Sequence, residues 1–500
     1  MVFPVVGGDG KPTGYEIDNS LRFNDGDTPR LTNDPGGGSG SDGSRTQFSI
    51  SMWVKRSNLG LGSGSKQDCL ISASATNNFY NSIKFNPDDR IQINLVNSGS
   101  DQDEVVTDAA FRDVSAWYHL FFVFDKTQAA LSNGIKLYVN GVQQTFGTTT
   151  YAQNQGYHFS RPGKTTAIGV NQVDTSSPFD GYMAEIHFID GQLKAHTDFG
   201  ETNDNGVWIP KKYDGTYGTY GFYLEFKQTG TSENSSGIGA DTSGNDEHFA
   251  VSNLAAIDVT TDTPTNNFAT LNATANFHVG ATYQEGATRF VSDESKYGYA
   301  VSTIGVPNGK WYAEFKMISK DGESGNWYMV GVAEGEQRGH RLVLGRDTNY
   351  PSANQKGQVG YVGYGTNFIY QNDAYYNNDS NSYSTAAFAD GDIIGVALNA
   401  DDYQVTFYKN GTVQNSGTAF ELGNFNVYGN PDLPVGSTGF WHFGCGHFDT
   451  GNTFTIDCNF GNAPFSISSG NADANGYGNF EYSVPSGYYA LCTKNLAEFG

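Results

Sequence analysis

The chain has 500 residues and a formal net charge of −24, with 14% aromatic and only 16% charged residues. The acidic balance excludes a general binder of the nucleic-acid backbone, which needs a positive footprint. The aromatic content excludes disorder, and no run approaches the ~18 apolar residues that span a bilayer.

Met1 to Gly10 carry neither a basic nor an apolar leader segment, so no secretory signal is expected. The first expected strand is Ser20 to Phe23, and a Gly/Ser-rich loop follows from Asp34 to Ser44. Phe48 to Val54 alternates, with Phe48, Ile50, Met52 and Val54 on one face and Trp53 on the other. Thr107 to Trp117 is the best helical window and supports a turn or two at most. Leu120 to Phe124 is apolar throughout, as a strand covered on both faces would be. Ile135 to Gln143 contains Asn140-Gly141, which predicts a type I′ hairpin tip. Ala167 to Val170 and Tyr182 to Ile189 read as closing strands.

Residues 201–276 are rich in Gly, Thr, Asp, Asn and Ser, with one strand signal at Gly221 to Phe226. They read as an irregular connector packed on its neighbours, because Trp208, Tyr213, Tyr217, Tyr220 and Phe222 need cover. Residues 277–500 hold a second strand series: Trp311 to Met317, Tyr328 to Ala333, Gln358 to Tyr364, Asp392 to Leu398, Gln404 to Tyr408, Phe454 to Asn459 and Tyr488 to Cys492. Asn410-Gly411 predicts a second hairpin tip. Trp311, Trp327 and Trp441 are expected in this core, and Trp53 and Trp117 are expected to be structural. The pattern predicts an all-β chain of two β-sandwiches. Cys69, Cys445, Cys458 and Cys492 form no CxxC and are expected as free buried thiols, although Cys445 and Cys458 can sit on neighbouring strands.

The first series resembles laminin-G-like, concanavalin A-type jelly rolls. Phe48 to Val54, Trp117-Tyr118-His119, Lys136 to Gly141 and Asp180 to Asp190 (DGYMAEIHFID) carry the likeness, within residues 1–200. The second resembles a SPRY domain through Lys310 to Phe315, Asp390 to Asn399 (DGDIIGVALN), Val405 to Gly411 (VTFYKNG) and Cys458 to Phe465, within residues 277–500. The joining phrases, such as Gly206 to Lys212 (GVWIPKK) and Asp262 to Asn272, are similar to those of marine tailed-bacteriophage virion proteins. That resemblance implies a tail-fibre, capsid-fibre or decoration protein in a virion. It would adhere to a host cell-surface glycan, contact other tail or capsid proteins, and form a homo-oligomer such as a trimer.

Catalytic signatures are weak. Gly163-Lys164-Thr165 ends like a phosphate loop, but His158 stands where its first glycine belongs. Gly38, Gly40 and Gly43 satisfy G-x-G-x-x-G without a helix behind them. Glu185, His187 and Asp190 lie where related glucanases carry paired carboxylates. Alternation puts Glu185 and His187 on one face and Asp190 on the other unless a bulge intervenes. The expectation is no enzyme, with a glycan hydrolase or a secreted bacterial adhesin as the alternatives. No cofactor is expected, although the Asp174 to Asp180 loop offers carboxylates that could hold Ca²⁺.

Carbohydrate contact has the best physical footing, because aromatic rings suit sugar C–H faces and Asn and Asp suit the hydroxyls. The tyrosine-rich stretch Tyr361 to Tyr383 supplies both. Tyr361 and Tyr364 are candidates for the core, and the ligand-binding candidates are Tyr370, Asn372, Asp373, Tyr375, Tyr376, Asn377, Asn378 and Tyr383. Subunit packing is the equal alternative for such a loop. Tyr151 to Arg161 (YAQNQGYHFSR) is a second candidate for glycan contact.

Overall fold

The computed structural model describes residues 14–38, 40, 42–60, 66–275, 281–292, 298–320, 327–334, 358–363, 368–371, 374–376, 386–422, 439–448 and 453–500. Their contacts divide the chain into two compact units that meet in sequence at Asn267 and Phe268. Residues 201–267 therefore fold with the first unit.

The first unit is a sandwich of two sheets, each of eight strands among the described residues. One sheet runs Val142–Gln143, Ile135–Val139, Trp117–Asp125, Gln47–Arg56, Gly181–Asp190, Ser20–Phe23 and Val259–Thr260, with Phe222–Leu224 beside Gly181–Asp190. The other runs Phe146–Thr150, Ser100–Ala110, Arg90–Asn97, Phe79–Phe85, Asp68–Thr76, Thr165–Ile168, Arg30–Asn33 and Ala250–Ser252. Phe48, Ile50, Met52 and Val54 all enter the core between them, as the alternation requires. Leu120, Phe122 and Phe124 join them, while Phe121 and Val123 pack on the opposite face. The strand is thus covered on both sides. Asn140 and Gly141 take φ of 48° and 77°, the left-handed pair that a type I′ tip demands. The helical turn expected within Thr107 to Trp117 does not form: the strand Ser100–Ala110 runs through its first half. Pairing with Arg90–Asn97 and Phe146–Thr150 takes the backbone bonds a helix would have used.

The second unit packs a nine-stranded sheet on a six-stranded one, counted over the described residues. Lys310–Lys320 is central to the first, and in the second Trp441–Phe448 lies between Gly298–Val301 and Trp327–Glu334. Trp311, Tyr361 and Trp441 are fully buried between the sheets. Asn410 and Gly411 repeat the hairpin geometry at φ of 46° and 75°. Tyr364 lies outside the described residues, as do the side-chain details of Trp327. All four cysteines are free and buried. Cys445 and Cys458 are not on neighbouring strands: Trp441–Phe448 and Phe454–Asn459 belong to opposite sheets. Both thiols point into the core between those sheets. The sequence pattern also misses a short C-terminal helix, Thr493–Phe499. Seven residues make two turns, too short to show a period; Leu496 and Phe499 dock it on the core.

Candidate functional site

Glu185 sits at an irregularity in its strand. Ala184 pairs with Trp53 and His187 with Ser51, so Glu185 and Ile186 share the place opposite Met52. This β-bulge gives Glu185 a φ of 45°, a left-handed conformation that glutamate adopts only under constraint. Its effect is to send Ile186 into the core and leave Glu185 on the outer face with His187. The bulge falls before His187, so it does not bring Asp190 round. Asp190 instead accepts from the Ser44 and Tyr220 amides at 2.7 and 3.3 Å and ties two loops together.

Glu185 is almost fully buried. Its Oε1 accepts from Tyr15 Oη at 2.6 Å and from Tyr223 Oη at 2.5 Å, and its Oε2 lies 3.5 Å from His187 Nε2. Burial pushes the carboxyl pKa up, but the contacts with His187, Tyr15 and Tyr223 outweigh it and hold it below the usual range. His187 stacks on Tyr223 with ring centroids 4.1 Å apart, and its Nδ1 lies 3.0 Å from Tyr217 Oη.

Over the central strands this outer face is roofed by the chain itself. Trp208 packs with Trp53, Trp117 and Tyr182; Phe199, Tyr213, Tyr217 and Tyr223 pack on Phe121 and Ile189. Trp53 and Trp117 are therefore structural, but under this roof rather than in the main core. Beneath it, Ser51 Oγ lies 2.8 Å from His119 Nε2, and Trp208 Nε1 lies 3.0 Å from His119 Nδ1. Sequence reading anticipated that the connector aromatics need cover. It missed their targets, because Trp208 and His119 are 89 residues apart and share no motif.

The expected ligand loop is described only in part. Tyr370 lies on Phe368–Gln371, and Tyr375 and Tyr376 lie on Ala374–Tyr376. Tyr370 pairs with Tyr375 across the two strands. Asn372, Asp373, Asn377, Asn378 and Tyr383 lie outside the described residues. In the Asp174 to Asp180 loop, Asp174 Oδ1 accepts from the Ser176 amide, whereas Asp180 is fully buried and bonds Asn58. Among the described residues no group of three or more His, Cys, Asp or Glu is arranged to hold a metal ion. No helix among them is long and apolar enough to cross a membrane.

Glu314 is one of several buried acids in the second unit. Glu314 Oε1 and Oε2 accept from the Tyr482 and Glu481 amides at 2.8 and 2.9 Å. Asn459 Nδ2 and Tyr312 Oη add two longer bonds. This carboxylate fastens the segment carrying Phe480 over Tyr312 and Ala397, on the outside of the nine-stranded sheet.

Two family models agree with this architecture. Residues 35–197 match the family described as the concanavalin A-like lectin/glucanases superfamily, and residues 310–429 match the SPRY domain. The chain carries a concanavalin A-like, laminin-G-type domain followed by a SPRY domain. No curated protein matches it. Among solved structures it is similar to the SPRY domain of human HERC1, at 14% identity over 36% of this chain and 93% of that one, with a TM-score of 0.26. It is similar to the heptameric SAP-like pentraxin of Limulus polyphemus, at 16% identity over 37% and 82%, with a TM-score of 0.27. Domain 4 of an extracellular arabinanase from Geobacillus stearothermophilus, in complex with arabinotriose, is similar at 23% identity over 31% and 65%, with a TM-score of 0.21.

Proposed function

We propose that this protein is a non-catalytic carbohydrate-binding protein. The match of residues 35–197 to a superfamily of lectins and glucanases supports the substrate class. One observation carries the choice of binding over hydrolysis. Glu185 is buried beneath the chain's own aromatic roof, with its oxygens engaged by Tyr15, Tyr223 and His187. Asp190, the other acid of that strand, serves loop amides instead. Retaining hydrolysis needs two carboxylates about 5–5.5 Å apart, facing a bound sugar.

The setting we propose is the outside of a tailed-phage particle, in a tail-fibre, capsid-fibre or decorating position. The joining phrases and the charge of −24, suited to a soluble exterior, support it. Symmetric copies would multiply weak glycan contacts, and the paired tyrosine strands around Tyr370 and Tyr375 are one contact surface.

The test is a glycan array probed with the purified chain. Binding to surface polysaccharide, weakened at least tenfold by Tyr375→Ala with Tyr376→Ala, is the expected result. Binding to no glycan overturns the reading, as does release of reducing sugar by the intact chain. Immunolabelling of purified particles tests the setting, and absence from the particle overturns it.

A further inference from the structure

One end of the second sheet of the first unit collects the kind of groups the chain otherwise keeps apart. The chain has 29 Lys and Arg against 53 Asp and Glu. Its buried cations are paired: Lys55 with Asp262, Arg56 with Asp68 and Asp89, Lys126 with Asp103. Arg45 and Lys164 break this pattern, with Arg161 beside them. All three lie close enough to depress the pKa of His158, after burial itself, and together they bring it to about 4. Arg161 Nε bonds Asp42 at 2.6 Å. Arg45 and Lys164 have no carboxylate within ion-pair distance among the described residues, and Arg45 Nε is buried without a hydrogen-bond partner. Asp42 is the acid whose charge reaches all three cations, and Asp34 spends Oδ1 on the Gly163 amide at 2.7 Å.

The fold brings these residues together from separate segments. The Arg45 carbonyl accepts from the Tyr157 amide at 2.9 Å, and its side chain lies against Gly156. Arg161 and Lys164 form a tight bridge just before the strand Thr165–Ile168. That strand pairs with Asp68–Thr76, whose hairpin partner begins at Phe79. Phe79 is exposed, one of few large apolar side chains left so among the described residues. Its ring lies 6.4 Å from that of His158. His158 Nε2 donates to Asn97 Oδ1 at 3.2 Å, and Asn97 Nδ2 donates to Gln155 Oε1 at 3.1 Å.

An exposed ring, the amides of Asn97 and Gln155, and two cations outside ion-pair distance of any described carboxylate are what an acidic sugar residue requires. The ring takes the C–H face, the amides take hydroxyls, and the cations take the anionic substituent. We infer that this end of the sandwich, centred on Arg45, Lys164 and Phe79, binds an anionic polysaccharide, one bearing uronate or sulfate groups. The inference rests on the carbohydrate reading above and adds a site and a charge class to it. The net charge of −24 repels a polyanion at long range, so affinity for one must arise locally.

The experiment measures binding of the full chain to three polymers: alginate for uronate, dextran sulfate for sulfate, and dextran as the neutral reference. Alginate or dextran sulfate bound at least tenfold more tightly than dextran, weakening with added salt, supports the site; the stronger of the two names the anion. Arg45→Ala with Lys164→Ala should remove that preference, bringing the anionic polymers down to the level of dextran. Phe79→Ala, at an exposed position, should weaken the anionic polymer without loss of fold by circular dichroism. Dextran bound as well as the anionic polymers overturns this inference and leaves the carbohydrate reading standing. Anionic binding unchanged in the double variant also overturns the inference. Binding to none of the three, nor to any array glycan, overturns both.

Discussion

Trp208 Nε1 donates to His119 Nδ1 at 3.0 Å, and this single contact fixes the protonation of the imidazole. An indole nitrogen can only donate, so Nδ1 must accept, and the ring proton resides on Nε2. Nε2–H then donates to Ser51 Oγ at 2.8 Å. A base for a nucleophilic serine needs the opposite arrangement, with its free lone pair on the hydroxyl. A serine-directed fluorophosphonate should therefore leave Ser51 unmodified in the folded chain. Labelling at Ser51 would contradict this tautomer. Burial, with His187 and His196 adding to it, pushes the His119 pKa down to about 3. The unfolded chain binds this proton near pH 6.5 and the folded chain does not, so stability is lost as pH falls from 6.5 toward 3. Trp208→Phe leaves Nδ1 buried and unpaired, which should cost about 1–3 kcal/mol in urea unfolding at pH 7.5.

Glu185→Gln tests the second network under the roof. The amide cannot accept two phenolic hydrogen bonds and meet His187 as the carboxylate does. Loss of a charged hydrogen-bond partner in a buried site should destabilise the first unit by about 1–3 kcal/mol. Because the folded carboxyl is held below its usual range, its stabilising effect is present above pH ~4.5 and fades as pH falls through that range. The gap between wild type and variant should accordingly shrink in thermal melts between pH 6 and pH 4. A gap that is constant with pH would mean that shape, not charge, matters at this position.

How far the sequence disclosed this arrangement depends on the range of each signal. Local alternation places Phe48, Ile50, Met52 and Val54, and the two Asn-Gly tips follow from backbone preference alone. The bulge at Glu185 has no such signature: it adds one residue, setting Glu185 and Ile186 opposite Met52 alone, and neither residue type marks it. Only pairing with Ser51 and Trp53 reveals the slip, and pairing is a property of two distant segments. The roof is of the same kind. Its aromatics are plain in the sequence, but Tyr15, Glu185 and Tyr223 meet across 170 and 38 residues. Cys445 and Cys458 meet the same limit: the sequence allows their strands to be neighbours, and the topology sends them to two sheets.

The four buried thiols give a direct check on both cores. Burial pushes Cys69 up to about 12 and Cys458 well above its ordinary value. Neither presents a thiolate or an accessible sulfur at pH 8. Ellman's reagent should label none of the four in the native chain within minutes and all four in guanidinium chloride. Rapid labelling of Cys445 or Cys458 alone would show that the second sandwich opens without the first.

Glu314 makes the stability of the second unit fall as pH rises, the reverse of the behaviour expected from His119 and Glu185. Burial lifts its pKa to about 7, against the lowering effect of the Tyr482 and Glu481 amides, Asn459 and Tyr312. The folded chain therefore holds this proton between pH ~4.5 and 7, while the unfolded chain has released it. That linkage stabilises the fold below pH 4.5 in full and is lost as pH climbs through 7, by up to a few kcal/mol at ~1.4 kcal/mol per pKa unit. Trp311 and Trp441, both buried in this unit, report its unfolding by fluorescence. Urea midpoints should drop between pH 5.5 and 8.5 in the wild type. Glu314→Gln, which stays neutral across that range and still offers a carbonyl to one amide, should flatten the drop. An equal slope in the variant would assign the pH dependence elsewhere and leave Glu314 as a fixed charged clasp for the segment around Phe480.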